Sequence, residues 1–277
     1  MSKLTDAKHT FGTRLKVEDL RVYYFTDRGK IRAVDDVSFE INDNESIGIV
    51  GESGSGKSTL GAALIRSVSP PGRILEGRIF LEGTNLLELS DDCFNSQIRW
   101  KKIAVVFQGA MNSLDPVYRI SEQMQELMRE NKVKGKCDQL IDTALKDVGL
   151  DSWVANRYPH ELSGGMKQRV VIAMALLLQP RILIADEPTT ALDVLVQAQI
   201  MNLLKKLKAE KQMNIIMITH DISLISEIAD RIGIMYAGQL VEFSSSYELL
   251  TNPKHPYTQA LIQAIPRIHA DNIRINS

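Results

Sequence analysis

The segment Gly51-Glu52-Ser53-Gly54-Ser55-Gly56-Lys57-Ser58 constrains this chain more than any other. It fits the spacing G-x-x-x-x-G-K-[ST], follows the apolar run Ile47 to Val50 and precedes a helix-compatible stretch, Ser58 to Ile65. Strand, glycine-rich loop and helix in that order make an anion cradle. Glycines let successive backbone N–H groups curl round an anion with no Cβ in the way. The helix N-terminus adds the positive end of its dipole. Lys57 can reach the β- and γ-phosphates of a nucleotide, and the Ser58 hydroxyl can ligate Mg²⁺. Gly51, Ser53, Gly54, Ser55, Gly56 and Thr59 complete this candidate contact set for ATP.

A second acidic element follows: Ile182-Leu183-Ile184-Ala185-Asp186-Glu187. A buried strand here ends in two carboxylates. At the carboxyl end of a parallel sheet they would face the phosphate loop. Asp186 can hold Mg²⁺, directly or through water. Glu187 is placed to polarise a water as general base.

Short apolar runs recur at Ile47 to Val50, Ile103 to Phe107, Ile182 to Ala185, Ile215 to Ile218 and Ile232 to Tyr236. Near-continuous runs of this kind suit strands buried on both faces. Helical spacing lies between them, at Ile120, Met124, Leu127 and Met128 and at Ile200, Leu203, Leu204 and Leu207. The alternation predicts a doubly wound α/β core. Before it, Leu15 to Tyr24, Ala33 to Ile41 and Arg78 to Leu81 predict an N-terminal β layer, with a hairpin loop over Thr26 to Lys30. The region from about 109 to 162 shows helical patterns and no buried strand, so it reads as a helical insertion. Ser244-Ser245-Ser246 reads as a turn, and residues 1–13 as a polar tail.

The formal net charge is −1, with Lys and Arg at 33 and Asp and Glu at 34, so no global charge draws the chain to nucleic acid or anionic lipid. The longest apolar run, Val170 to Leu178, is far short of the ~20 residues a bilayer demands. Met1 to Thr10 has no apolar secretory core. Cys93 and Cys137 form no CxxC pair and read as reduced thiols. A link to a membrane must therefore go through a partner.

Leu162-Ser163-Gly164-Gly165-Met166-Lys167-Gln168-Arg169 resembles the signature motif of ATP-binding-cassette ATPases, with Met166 where the family has Gln. Other elements match that family in order. Gln108, in Val105-Val106-Phe107-Gln108, resembles the Q-loop; Ala191-Leu192-Asp193 the D-loop; His220 the switch histidine. Tyr24 sits where the family stacks an aromatic ring on adenine, with Tyr23 and Phe25 as alternatives. The resemblance covers about residues 15 to 265. It implies a P-loop ATPase (RecA-like) core of α/β class with an antiparallel β layer and a helical signature subdomain, about 109–178 in all, within a cassette spanning 14–247. It further implies that two such domains face each other head to tail. Each ATP would lie between one chain's Lys57 loop and the other's Ser163, Gly164 and Gly165, which open a helix running to Leu178. Gln108 would sense Mg²⁺ and the attacking water, His220 would hold the γ-phosphate, and Asp193 would join the nucleotide contacts.

Phe107-Gln108-Gly109-Ala110-Met111-Asn112-Ser113-Leu114-Asp115-Pro116 resembles the Q-loop of the branch that energises oligopeptide and dipeptide importers, and Asn252-Pro253-Lys254-His255-Pro256-Tyr257-Thr258 its C-terminal His-Pro-Tyr element. The implied role is the ATPase subunit of such an importer, peripheral on the cytoplasmic face of the cell membrane. Its partners would be a second ATPase subunit, identical or related, two transmembrane permease subunits docked on the helical insertion, and indirectly a solute-binding protein. The same branch includes importers of oligosaccharides, glutathione and nickel. Many members continue into an iron–sulfur extension rich in cysteine, which this chain lacks; Ile268 to Ser277 shows no closing element, which leans toward truncation over a natural short form. Non-transport cassettes of DNA repair or the ribosome carry long coiled-coil insertions or tandem cassettes, and neither is present. The presence of Lys57, Asp186, Glu187 and His220 argues against a dead scaffold. Because residues 248–277 follow every phosphate-site motif and are punctuated by Pro253 and Pro256, the segment from His255 onward is expected to be an appendage that nucleotide binding does not need.

Overall fold

The computed structural model describes residues 13–133 and 135–264. Most of the polar tail and the whole Ile268 to Ser277 stretch lie outside the described residues. In chain order the elements are β1 (Thr13–Thr26), β2 (Gly29–Asn42), β3 (Ile47–Val50), α1 (Lys57–Leu64), β4 (Gly72–Leu81), β5 (Thr84–Asn85), α2 (Asp91–Gln97), β6 (Ile103–Val106), α3 (Ile120–Glu130) and α4 (Cys137–Asp147). There follow α5 (Gly164–Leu176), β7 (Ile182–Asp186), α6 (Val194–Lys211), β8 (Asn214–Thr219), α7 (Ile222–Ser226), β9 (Arg231–Tyr236), β10 (Gln239–Ser245), α8 (Ser246–Thr251) and α9 (Pro256–Gln263).

The five apolar runs all become strands of one six-stranded sheet of order β10-β9-β3-β8-β7-β6. Its members pair in parallel except β10, which returns antiparallel on β9. Side-chain alternation feeds two cores. Ile182, Ile184, Ile216 and Ile218 face a cluster shared with Leu60 and Leu64 of α1 and with Leu15, Val17 and Ile41 of the N-terminal layer. Leu183, Ile215 and Met217 point the other way, onto Ile200, Leu204 and Leu207 of α6 and Ile172 of α5. Both faces are covered, which is why the strands read as unbroken apolar runs rather than as alternation.

The N-terminal layer is an antiparallel sheet of order β2-β1-β4-β5. Its hairpin is tighter than the charged stretch suggested, because only Asp27 and Arg28 lie between β1 and β2. Among its described residues the helical insertion contains α3 and α4 with short 3₁₀ turns and no strand. Ser244-Ser245-Ser246 is not a turn. It is a strand-to-helix junction in which the Ser245 hydroxyl accepts the Glu248 N–H at 3.2 Å and caps α8. The signature helix α5 ends at Leu176, two residues before the expected Leu178.

Pairing register fixes where the site must be. Val50 lies opposite Thr219, and Asp186 opposite Ile218, so β3, β8 and β7 end level with one another. The loops that leave these ends carry Gly51 to Ser58, His220 and Glu187 onto one edge of the sheet.

Candidate functional site

At that edge a cavity of about 490 Å³ is lined by Ser53, Gly54, Gly56, Lys57, Ser58, Thr59, Gln108 and Glu187, together with Ile31, Arg32, Ala33 and Ala237. The loop conformation depends on glycine where expected. Gly56 has φ 103°, and a Cβ there would lie 1.8 Å from the Ala33 carbonyl oxygen. Immediately after it α1 begins, so the free N–H groups of its first turn open on the cavity.

Lys57 is only 6% exposed. Its Nζ donates to the carbonyls of Gly51 and Glu52, both at 2.7 Å. Burial lowers the ammonium below its ordinary pKa, and the charges of Glu187, Asp186 and Glu52 oppose that shift. The lysine is thus folded back over its own loop, with the acids beside it.

Asp186 and Glu187 differ sharply. Asp186 is buried, and its Oδ1 has no hydrogen-bond partner. Burial raises its pKa; the Ser58 hydroxyl and the Lys57 charge only partly offset this. Glu187 is half-buried and fully satisfied: Oε1 pairs with His220 Nδ1 at 2.8 Å, and Oε2 accepts the Thr190 hydroxyl at 2.6 Å. Burial alone would raise its pKa, but those two hydrogen bonds and the His220 and Lys57 charges bring it below the ordinary carboxylate range. Glu187 holds φ 47°, a left-handed turn that takes its side chain out of the strand alternation while its N–H donates to Ile218 O at 2.8 Å. An orphaned buried carboxylate oxygen, the Ser58 hydroxyl and the Gln108 amide form a set of hard oxygen donors that fits Mg²⁺.

The aromatic candidates separate. Tyr23 is buried with its hydroxyl on Asp35. The Tyr24 hydroxyl lies 3.4 Å from the Thr59 hydroxyl, at the rim of the cavity. Phe25 is exposed.

The signature segment is not brought to this cavity. Ser163 caps α5, its hydroxyl accepting the Met166 N–H at 3.3 Å. Ser163 and Gly165 line a separate cavity of about 340 Å³, whose lining shares no residue with the Lys57 cavity. Gly164 packs on Leu192, Gly165 on Val196, and Asp193 caps α6 by accepting the Val196 N–H at 2.9 Å.

Some lining residues escaped the sequence reading. Ile31, Arg32 and Ala33 come from the N-terminal layer, and Ala237 from the β9–β10 turn. The only local signal was the Ala237-Gly238 dipeptide, whose positive φ values of 49° and 85° mark a tight hairpin turn. The C-terminal segment is also closer than expected. Tyr257 accepts the Glu52 N–H of the phosphate loop on its hydroxyl at 3.3 Å, a contact that the reading of this segment as an appendage did not anticipate.

The ABC transporter family profile matches residues 34–190, more than half of the chain. The chain belongs to that family. A second profile, the C-terminal region of oligopeptide/dipeptide transporters, matches residues 241–277. A dipeptide transport ATP-binding protein of Caldanaerobacter subterraneus is 44% identical over 94% of this chain and 81% of its own length. An oligopeptide transport ATP-binding protein of Escherichia coli is 43% identical over 93% and 77%. Among solved structures, a dimeric ATP-binding cassette in a post-hydrolysis state, bound to ADP and Pi, superposes with a TM-score of 0.73. It shares 31% identity and covers 84% of this chain and 98% of its own. The P-loop ATPase fold expected from the sequence is the fold observed. Among the described residues no helix is long and apolar enough to cross a membrane.

Proposed function

We propose that this chain is the ATP-hydrolysing subunit of an importer of oligopeptides or dipeptides, attached peripherally to the cytoplasmic face of the cell membrane. One observation carries the ATPase reading: the Asp186–Glu187 pair beside the Lys57 loop, one carboxylate unsatisfied and the other held by His220. The match of residues 241–277 to the peptide-transporter C-terminal region supports the cargo class.

In this reading the N–H groups of Ser53 to Ser58 cradle the phosphates, and Lys57 moves from the Gly51 and Glu52 carbonyls to the β- and γ-phosphates. Tyr24 stacks on adenine. Ser58, Gln108 and Asp186 would hold Mg²⁺, which would supply positive charge to offset that of the phosphates. Glu187 takes a proton from a water as that water's oxygen bonds in line to the γ-phosphorus. The bond to the bridging oxygen breaks, and ADP leaves with that electron pair. His220, now oriented by Glu187, holds the γ-phosphate. Ser163, Gly164, Gly165 and Asp193 act on the nucleotide of a partner ATPase subunit. Residues 14–247 carry this cassette, and its helical subdomain, about 109–178, presents the exposed Val117 and Tyr118 to one of two transmembrane permease subunits. The solute-binding protein acts through those permeases, and no nucleic acid takes part.

The test pairs two measurements. Phosphate release from MgATP by the purified chain should vanish in Lys57→Ala. Cells lacking the chain should lose uptake of labelled di- and oligopeptides while nickel, glutathione and oligosaccharide uptake persist. Unchanged peptide uptake would overturn the cargo reading and leave the ATPase reading standing.

A further inference from the structure

The Gly51–Glu52 peptide is gripped from both ends. Its carbonyl accepts Lys57 Nζ at 2.7 Å, and its N–H donates to the Tyr257 hydroxyl at 3.3 Å. Tyr257 lies 205 residues further along the chain, in α9. Its ring packs on that of Tyr236, with centroids 4.4 Å apart at 39°. Tyr236 ends β9 next to Ala237, which lines the Lys57 cavity.

The residues round Tyr257 hold it in place. The Glu242 carboxylate of β10 accepts the N–H groups of Lys254 and His255 at 2.9 and 3.0 Å. His255 Nδ1 accepts the Tyr257 N–H at 3.2 Å and caps α9. Pro256 opens the helix where its missing N–H costs nothing. Gln259 Nε2 donates back to Pro253 O at 2.9 Å, and Thr258 is fully buried. The Lys254 and His255 amides, the His255 ring, Pro253 and Pro256 thus set one ring against the phosphate loop. Burial raises the Tyr257 pKa, so the group is a neutral phenol at pH 7.

The Glu52 N–H is taken up by the Tyr257 hydroxyl. We propose that Tyr257 is a positioning residue for nucleotide binding, its hydroxyl fixing the Gly51–Glu52 peptide so that the amides after it form the anion cradle before a nucleotide arrives. The proposal rests on the nucleotide reading above. Without the hydroxyl, the arriving phosphates must order that peptide themselves. Ground-state affinity then falls, while the chemistry of the bound state is untouched.

Tyr257→Phe in the full chain removes the hydroxyl and keeps the ring on Tyr236. MgADP titration should show affinity weaker by about three- to tenfold, the worth of one hydrogen bond. KM for MgATP should rise by the same factor, with kcat within twofold. Exchange of the Glu52 amide should accelerate while protection elsewhere holds and the melting temperature of the nucleotide-free chain falls by no more than about 2–4 °C. An unchanged MgADP affinity, or a Glu52 amide protected as in the wild type, would overturn the proposal. So would a lowered melting temperature with faster exchange throughout, since Tyr257 would then be a packing residue only. Failure of the nucleotide reading is seen separately, in a wild-type chain that binds no MgADP.

Discussion

Asp186 and Glu187 are sequence neighbours with opposite electrostatic settings, and that difference suits the separate tasks proposed for them. Glu187 stays ionised because Thr190 and His220 hydrogen-bond to it, as a general base must. Glu187→Gln should retain MgATP binding and lower phosphate release about 10²–10⁴-fold, because the amide cannot take the proton. Nucleotide titration beside steady-state turnover checks both halves. Asp186 carries the opposite strain: burial without a partner for Oδ1 raises its pKa in the fold. A raised carboxyl pKa means that the folded state binds protons more readily than the unfolded one. The cost is therefore absent at low pH and appears as pH rises through the unfolded and then the folded pKa. Asp186→Asn should remove it, raising the melting temperature of the nucleotide-free chain at pH 7 by about 2–4 °C for about 1 kcal/mol, and should abolish the Mg²⁺ dependence of ATP binding. A lowered melting temperature at pH 7 would contradict the assignment of that buried oxygen to the cation.

The elements that hold the site differ in how plainly the sequence shows them. β3, β6, β7, β8 and β9 are buried on both faces, so each announces itself as an apolar run whatever its neighbours are. β10 is half-buried along most of its length and sits at a sheet edge, so its composition says little. The same division holds within the site. The phosphate loop and Asp186–Glu187 are contiguous motifs, legible because the chemistry needs them at fixed spacing. Arg32, Ala33, Ala237 and Tyr257 reach the loop only through tertiary packing, and no local pattern encodes that. The signature helix joins both kinds of information, since Ser163 is a motif residue and also the cap of α5. Ser163→Ala should cost about 1 kcal/mol as a lost N-cap, visible as a fall in melting temperature of about 2–4 °C. MgADP affinity of the single chain should not change, because Ser163 does not line the Lys57 cavity. A parallel loss of MgADP affinity would place the serine in its own chain's site.

At the scale of the molecule the fold keeps the Lys57 loop and the signature segment apart on one chain. The Lys57 loop has its acids and its cavity, whereas Ser163 and Gly165 line a separate cavity with no acid–lysine pair of its own. Beside the signature helix, Val194 and Leu195 at the start of α6 are 82% and 70% exposed. Apolar side chains left open next to helix-terminal donors suit a surface that a second protein covers. The related cassette bound to ADP and Pi is dimeric. If two chains complete each other's sites, Lys57→Ala and Ser163→Arg should each be inactive alone, the first for want of the lysine and the second because its guanidinium blocks the anion position. Mixed, the Ser163→Arg chain supplies an intact Lys57 loop and the Lys57→Ala chain an intact signature segment. One site is then whole and the other carries both defects. ATP-dependent association should return on mixing, with hydrolysis up to half that of the wild-type pair where one site suffices. A site complete within one chain predicts no recovery at any ratio. Where the natural pair is this chain with a related ATPase, the two substitutions are divided between the two proteins and the same outcome is expected. Sizing and cross-linking with MgATP decide between the arrangements: two folded variants that never associate when mixed would exclude the shared site.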